Sequence, residues 1–196
     1  MSNKLNLKIK QGSTFARSFR WEGLPYKYVP ITAISQSAPC AINATAHGLL
    51  EMQPFGIQSA KGMTELNQKD FSFPYRATIQ GVDDITINSV NSLDYKTHTA
   101  STGVIIARTV RDLTGFTARL QIREKVDSDT TLFEATWGTH LTIDTGLQQV
   151  KLIIPADETA LFTFAFGVYD LELEAPDGTV TPVLQGSVSV LKEVTR

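Results

Sequence analysis

The feature that most constrains this chain is the run from Gly167 to Thr195, GVYDLELEAPDGTVTPVLQGSVSVLKEVT. Tyr169, Leu171 and Leu173 alternate with Asp170, Glu172 and Glu174, the period-two pattern of a strand with one face in a core and the other in water. Pro176-Asp177-Gly178 then reverses the chain. Asp-Gly readily takes the positive φ values of a tight hairpin turn, and the proline ends the strand before it. Val188 and Val190 mark the inward face of the return strand. An antiparallel sheet follows from this stretch, but no chemistry does.

The same alternation recurs on both sides of a different middle. Leu5, Leu7 and Ile9 alternate with Asn6, Lys8 and Lys10 in a first strand that stops at Gln11-Gly12-Ser13. A second strand, Thr14 to Trp21, sets Phe15, Arg17, Phe19 and Trp21 on one side and ends at Glu22-Gly23-Leu24-Pro25. The long stem of Arg17 can lie on apolar surface while its guanidinium reaches water. After Asp112-Leu113-Thr114-Gly115, the residues Phe116, Ala118, Leu120 and Ile122 alternate with Thr117, Arg119, Gln121 and Arg123. Further strands are expected at Leu132 to Trp137, Leu141 to Asp144 and Leu147 to Ile154. Pro155 to Leu161 carries proline and acidic residues where the start of one helical turn favours them.

From Pro30 to Arg108 the chain is richer in Thr, Asn, Ser and Gln, with shorter apolar runs and denser turn signals. Strands are expected at Ile31 to Ser37, Cys40 to Thr45, Phe71 to Ile79, Ile85 to Val90 and Gly103 to Ala107, with a loop or short irregular turn over Leu50 to Lys69. Such short strands suit a small barrel. The expected fold is therefore all-β. Residues 1–29 and 109–196 form an Ig-like antiparallel β-sandwich, and residues 30–108 form a small β-barrel inserted between its second and third strands. The ends of the insert, near Ile31 and Ile105, should lie side by side and antiparallel.

Charge and composition exclude several partners. The net charge of −2 arises from 18 basic and 20 acidic residues without long runs, so neither nucleic acid nor an anionic membrane is an expected partner. The single cysteine, Cys40, closes no internal disulfide, which fits assembly in a reducing cytoplasm. The N-terminal alternation resembles neither a secretory signal nor a membrane span.

Candidate chemistry is sparse. His47, His98 and His140 show no metal-ligand spacing, and His47 is placed to shape the turn before Gly48. No nucleophile elbow, phosphate-binding loop or dinucleotide fingerprint occurs, so the chain is read as a non-enzyme without cofactor or metal. Asp170, Glu172 and Glu174 read as a solvated strand face, and Asp127-Ser128-Asp129 as a polar loop lacking the glycine and glutamate of a calcium site. Trp21, Trp137, Phe162, Phe164 and Phe166 could serve a sugar platform or a protein interface. The Phe162, Phe164, Phe166 triplet, on one side of an extended LFTFAFG segment, is the interface candidate.

Two resemblances carry a function. KIKQGSTFARSFRW (Lys8 to Trp21), DLTGFTARLQIREK (Asp112 to Lys125), PADETALF (Pro155 to Phe162) and the run from Gly167 to Arg196 resemble the β-sandwich at the N-termini of phage upper-baseplate and tail-fibre-attachment proteins. NATAHGLLEM (Asn43 to Met52), GMTELNQKDFSF (Gly62 to Phe73) and SLDYKTHTASTG (Ser92 to Gly103) resemble the β-barrel insert related to the first catalytic-cysteine half-domain of ubiquitin-activating enzymes, a module that recurs in phage virion proteins. Leu50-Glu51-Met52-Gln53-Pro54 stands where that module has a glycine turn. That half-domain supplies no catalytic cysteine, so no ubiquitin chemistry is implied. The resemblance implies a structural virion protein of a tailed phage, assembled in the host cytoplasm. It would act as a tail, baseplate or neck adaptor that binds other virion proteins as a symmetric homo-oligomer. A capsid decoration protein and a carbohydrate-binding module for the host envelope are the competing readings.

Overall fold

The computed structural model describes residues 3–70 and 72–193. The chain packs as two compact units, one made of the chain up to Trp21 and from Arg111 on, the other of Glu22–Val110. The first unit opens with β1 (Asn3–Lys4), β2 (Leu7–Lys10) and β3 (Phe15–Phe19). The second holds β4 (Glu22–Pro30), β5 (Ala33–Ile34), β6 (Cys40–Asn43), β7 (Pro54–Gln58), β8 (Tyr75–Arg76), β9 (Thr78–Ile79), β10 (Asp84–Ile87) and β11 (Val104–Val110). The first unit resumes with β12 (Thr117–Arg123), β13 (Thr131–Thr136), β14 (Leu141–Asp144) and β15 (Gln149–Ile154). It ends with the short helix α1 (Ala156–Ala160), β16 (Phe166–Glu174) and β17 (Val180–Leu191). The fold is all-β with several sheets.

In the first unit a six-stranded sheet, ordered β1-β17-β16-β12-β13 with β2 also on β17, shares one apolar core with a three-stranded sheet, β14-β15-β3. Alternation sets the inward face. Leu120, Leu171, Leu173 and Val188 from the large sheet and Leu141, Leu152 and Ile154 from the small one are fully buried, each such side chain contributing about 1.5–3 kcal/mol. The β16–β17 hairpin turns through Asp177-Gly178, with Gly178 at φ +82° and the Asp177 carboxylate accepting from the Thr179 N–H at 2.9 Å. Helix α1 is tied down by Thr159, whose buried hydroxyl donates to the Ser13 carbonyl at 2.9 Å. The expected end of the last strand at Thr195 lies outside the described residues.

Two expectations for this unit change. The sheet is not wholly antiparallel, because β1 and β2 both run parallel to β17. The first strand is also split: Leu7 and Ile9 are buried but Leu5 is exposed, and the Tyr169 hydroxyl donates to the Leu5 carbonyl at 2.8 Å. That bond ties the backbone at the break to the core-facing side of β16.

The second unit has two four-stranded sheets, β5-β6-β10-β9 and β4-β11-β7-β8, around a separate core that includes Ile42, Phe55, Ile57, Ile85, Ile87 and Ile105. Its end strands lie side by side and antiparallel, Val29 opposite Ile105. Its first strand begins at Glu22, in the segment expected to end the preceding strand, so residues 22–29 belong to this unit and not to the outer one. Pro25 is tolerated because it sits at a bulge, where the ladder steps from Tyr26 opposite Arg108 to Gly23 opposite Thr109 and needs no N–H from the proline. The stretch expected as a loop contains β7, whose Phe55, Gly56 and Ile57 are all buried, followed by a 3-10 turn at Thr64–Leu66. Of the strand expected from Phe71 to Ile79, Phe71 lies outside the described residues, and the rest forms the short β8 and β9.

Candidate functional site

The outer face of the six-stranded sheet brings acidic and basic side chains from neighbouring strands together. Because inward positions on β12 and β16 are apolar, Arg119, Gln121 and Arg123 project outward from one strand and Asp170, Glu172 and Glu174 from its neighbour. Register places Arg119 opposite Glu172, Gln121 opposite Asp170 and Arg123 opposite Val168. The Arg119 guanidinium donates to the Glu172 carboxylate at 2.9 Å. One strand further, Gln121 donates to Glu134 at 2.9 Å. Arg123 donates to the Gln121 side-chain oxygen at 3.0 Å and to the Ser128 carbonyl, which fixes the polar loop containing Asp127 and Asp129.

Between these side chains and the N-terminal strand lies a hollow of ≈ 610 Å³, lined by Lys4, Arg119, Arg123, Asp170, Glu172 and Gln185 among others. Its floor is close to backbone at Gly186, where a Cβ would stand 2.0 Å from the Leu5 carbonyl oxygen. Partial burial pushes the Asp170 carboxyl up, and the neighbouring negative charge of Glu172 adds to the effect. The Arg119 guanidinium is held more firmly protonated by its hydrogen bond to Glu172. Asp170 and Glu174 of the acidic stripe are exposed, as expected of a wet face, while Glu172 is paired with Arg119 from β12, a strand far away in sequence.

The phenylalanine triplet does not share one side. Phe162 is 8 % exposed and packs on Phe133 and Phe164, at ring distances of 5.2 and 5.1 Å, so it belongs to the core. Phe164 is half-buried against the same core, while Phe166 is 75 % exposed. The segment between α1 and β16 is irregular and bends at Ala165, whose carbonyl accepts from the Val190 N–H at 2.9 Å, which breaks the alternation. Phe166 projects from the same outer sheet face as the hollow, two residues before Val168, and Leu191 stands near it at the end of β17. Trp137 is exposed at the end of β13, and Trp21 is half-buried with the Arg111 guanidinium 5.8 Å from its ring centre.

The histidines are placed separately. In His47 Nδ1 accepts from the Leu49 N–H at 2.9 Å and Nε2 faces the Gly81 carbonyl at 3.1 Å, so the ring pins two turns together. In His98 Nδ1 accepts from the Ile34 N–H at 3.2 Å, and Nε2 lies 3.0 Å from the Thr102 carbonyl. His140 Nε2 meets the Glu158 carboxylate at 2.8 Å. Among the described residues no three His, Cys, Asp or Glu side chains gather to hold a metal, and no helix is long and apolar enough to cross a membrane. Cys40 is buried in β6, and burial pushes its thiol up, away from the reactive thiolate. No protein-family model matches the chain, and no curated protein matches its sequence.

Sequence reading missed Arg119, Gln121 and Arg123 as site residues. Their outward phase was visible in the alternation. Their meeting with Asp170 and Glu172 depends on β12 pairing with β16, which alternation does not specify.

Proposed function

We propose that this is a non-enzymatic structural protein of a tailed-phage virion, a tail, baseplate or neck adaptor that binds other virion proteins. Its first unit is an Ig-like sandwich and its second a small barrel inserted into it. The observation that carries the reading is the open outer face of the six-stranded sheet. It combines a polar hollow with the exposed apolar side chains Phe166 and Leu191 at one end, the mixture found where a protein surface meets another protein. The charged groups there already engage one another at hydrogen-bond distance, which suits a contact surface better than a reaction centre. Two resemblances in sequence, one to each unit, point the same way.

Immunogold labelling of intact particles tests it. Label on the tail or its attachment region is the expected outcome. Label on the head would make the protein a capsid decoration, and particles lacking it would remove the virion reading. Glycan binding by the purified chain would favour the carbohydrate reading, which the lining of the hollow serves poorly: its one aromatic residue, Tyr169, is buried. Hydrolysis of an envelope polymer would overturn the non-enzymatic assignment.

A further inference from the structure

The outer face of the six-stranded sheet is complementary to itself. Acidic side chains project from β16 and basic ones from the adjacent β12, with Glu172 and Arg119 at the same level along the strands. Consider a two-fold axis parallel to these strands, in the plane of contact and midway between them. Rotation about it exchanges the places of β12 and β16 without moving either along its length. The acidic strand of one copy then lies over the basic strand of the other, and Glu172 of each copy faces Arg119 of its mate.

We propose that two copies of this chain associate through this face about such an axis, an isologous interface centred on two Arg119–Glu172 pairs. The area is sufficient. Five strand positions at about 4.8 Å spacing and a central strand of nine residues at about 3.4 Å rise give roughly 700 Å² per copy, close to the ~800 Å² per partner of a stable interface. The ≈ 610 Å³ hollow receives the long arginine side chains of the facing copy. Arg119 uses one guanidinium nitrogen on Glu172, and its side chain remains 58 % exposed, so further donors are available to a second carboxylate. Phe166 and Leu191, 75 % and 55 % exposed on the same face, add apolar area toward one end.

This deepens the assembly role proposed above by naming one occupant of the face, and a solution measurement tests it apart from any particle. Sedimentation equilibrium of the whole chain is expected to show a dimer that weakens as salt rises. Arg119→Glu and Glu172→Arg should each raise the dissociation constant at least about tenfold, since like charges then face each other. Mixing the two single variants should restore dimers, because in the mixed pair unlike charges face each other at both contacts. The double variant R119E/E172R should dimerise alone. Arg119→Gln, which removes the charge and keeps a polar stem, should also weaken the dimer and guards against a folding failure of the reversals; unchanged far-ultraviolet circular dichroism confirms folding. A chain monomeric at hundreds of micromolar, a dimer indifferent to both reversals, or a mixture that stays monomeric would each overturn the proposal. None of these would move the label on a particle.

Discussion

The two units specify their folds by different means. In the first, the nine-residue β16 alternates strictly and the twelve-residue β17 alternates from Ser187 to Leu191, beyond a bulge at Val183, so apolar burial fixes the register. Thr159 is its one fully buried polar side chain among the described residues. In the second, β5, β8 and β9 have only two residues each, and three polar side chains, His47, Gln53 and Ser92, are buried. Each of these ties a loop to a distant part of the chain. Gln53 accepts from the Leu50 N–H and donates to the Arg108 carbonyl, both at 2.9 Å. The Ser92 hydroxyl lies 2.8 Å from the Ser35 carbonyl and accepts from the Ser37 N–H at 3.1 Å. Where strands are too short to hold themselves, buried hydrogen bonds to backbone take over.

The largest expected effects test whether the two cores are separate. Phe55→Ala should cost about 3–5 kcal/mol and Leu173→Ala about 2–5 kcal/mol, both side chains being fully buried. In hydrogen exchange the first should strip protection from residues 22–110 and the second from residues 3–21 and 111–193. Loss of protection throughout the chain in both variants would break the comparison.

Two glycines sharpen it. Gly62 lies at φ +78° with the Thr97 carbonyl oxygen 2.0 Å from where a Cβ would stand. Gly62→Ala should therefore lose about 1–2 kcal/mol to backbone conformation alone, and more to the clash. Gly186, also 2.0 Å from a carbonyl but without positive φ, should lose about 1–3 kcal/mol as alanine. Denaturant midpoints check the order.

Next come the buried polar side chains. Ser92→Ala and His47→Ala should each cost about 1–3 kcal/mol by stranding backbone groups, with the loss confined to the second unit in hydrogen exchange. Costs below a few tenths would show that these bonds do not hold the loops.

The smallest expected effect is on pH. Asp112, Asp144 and Asp177 are held below the ordinary carboxylate range by hydrogen bonds from Thr114, Lys151 and Thr179 respectively, and all three lie in the first unit. A depressed carboxylate stabilises the fold fully above its unfolded value, about 3.9, and that contribution is lost as pH falls through the folded value. Melting of the first unit should drop below about pH 4. Asp170 has the opposite sign. Burial and Glu172 raise its value, so its ionisation opposes folding, and Asp170→Asn should slightly raise the melting temperature at neutral pH. Lower stability for that variant would mean that the carboxylate is held by a favourable contact.

The contrast between units also explains what could be read in advance. Alternation located β12, β16 and β17, the Asp-Gly turn and the helical turn at Pro155 because each is a local rule. It failed at β7, where Phe55, Gly56 and Ile57 are buried together and no alternation exists to detect. It failed at β4 because Pro25 reads as a stop unless a bulge is known to receive it. The Phe162 to Phe166 segment looked like one extended face because period two was carried across a bend at Ala165. The charged outer face was half legible: phase along each strand is local, but adjacency of Arg119 and Glu172 is topological.

The crossing between the units has a practical consequence. The Arg111 N–H donates to the Trp21 carbonyl at 2.9 Å, so the chain leaves the first unit and re-enters it at hydrogen-bonded neighbours. Loop-closure entropy grows only slowly with length, and a tight Asn-Gly turn in place of Glu22–Val110 closes the same gap. The junction is thus an excision point: a chain carrying that turn in place of residues 22–110 is expected to keep both sheets of the first unit.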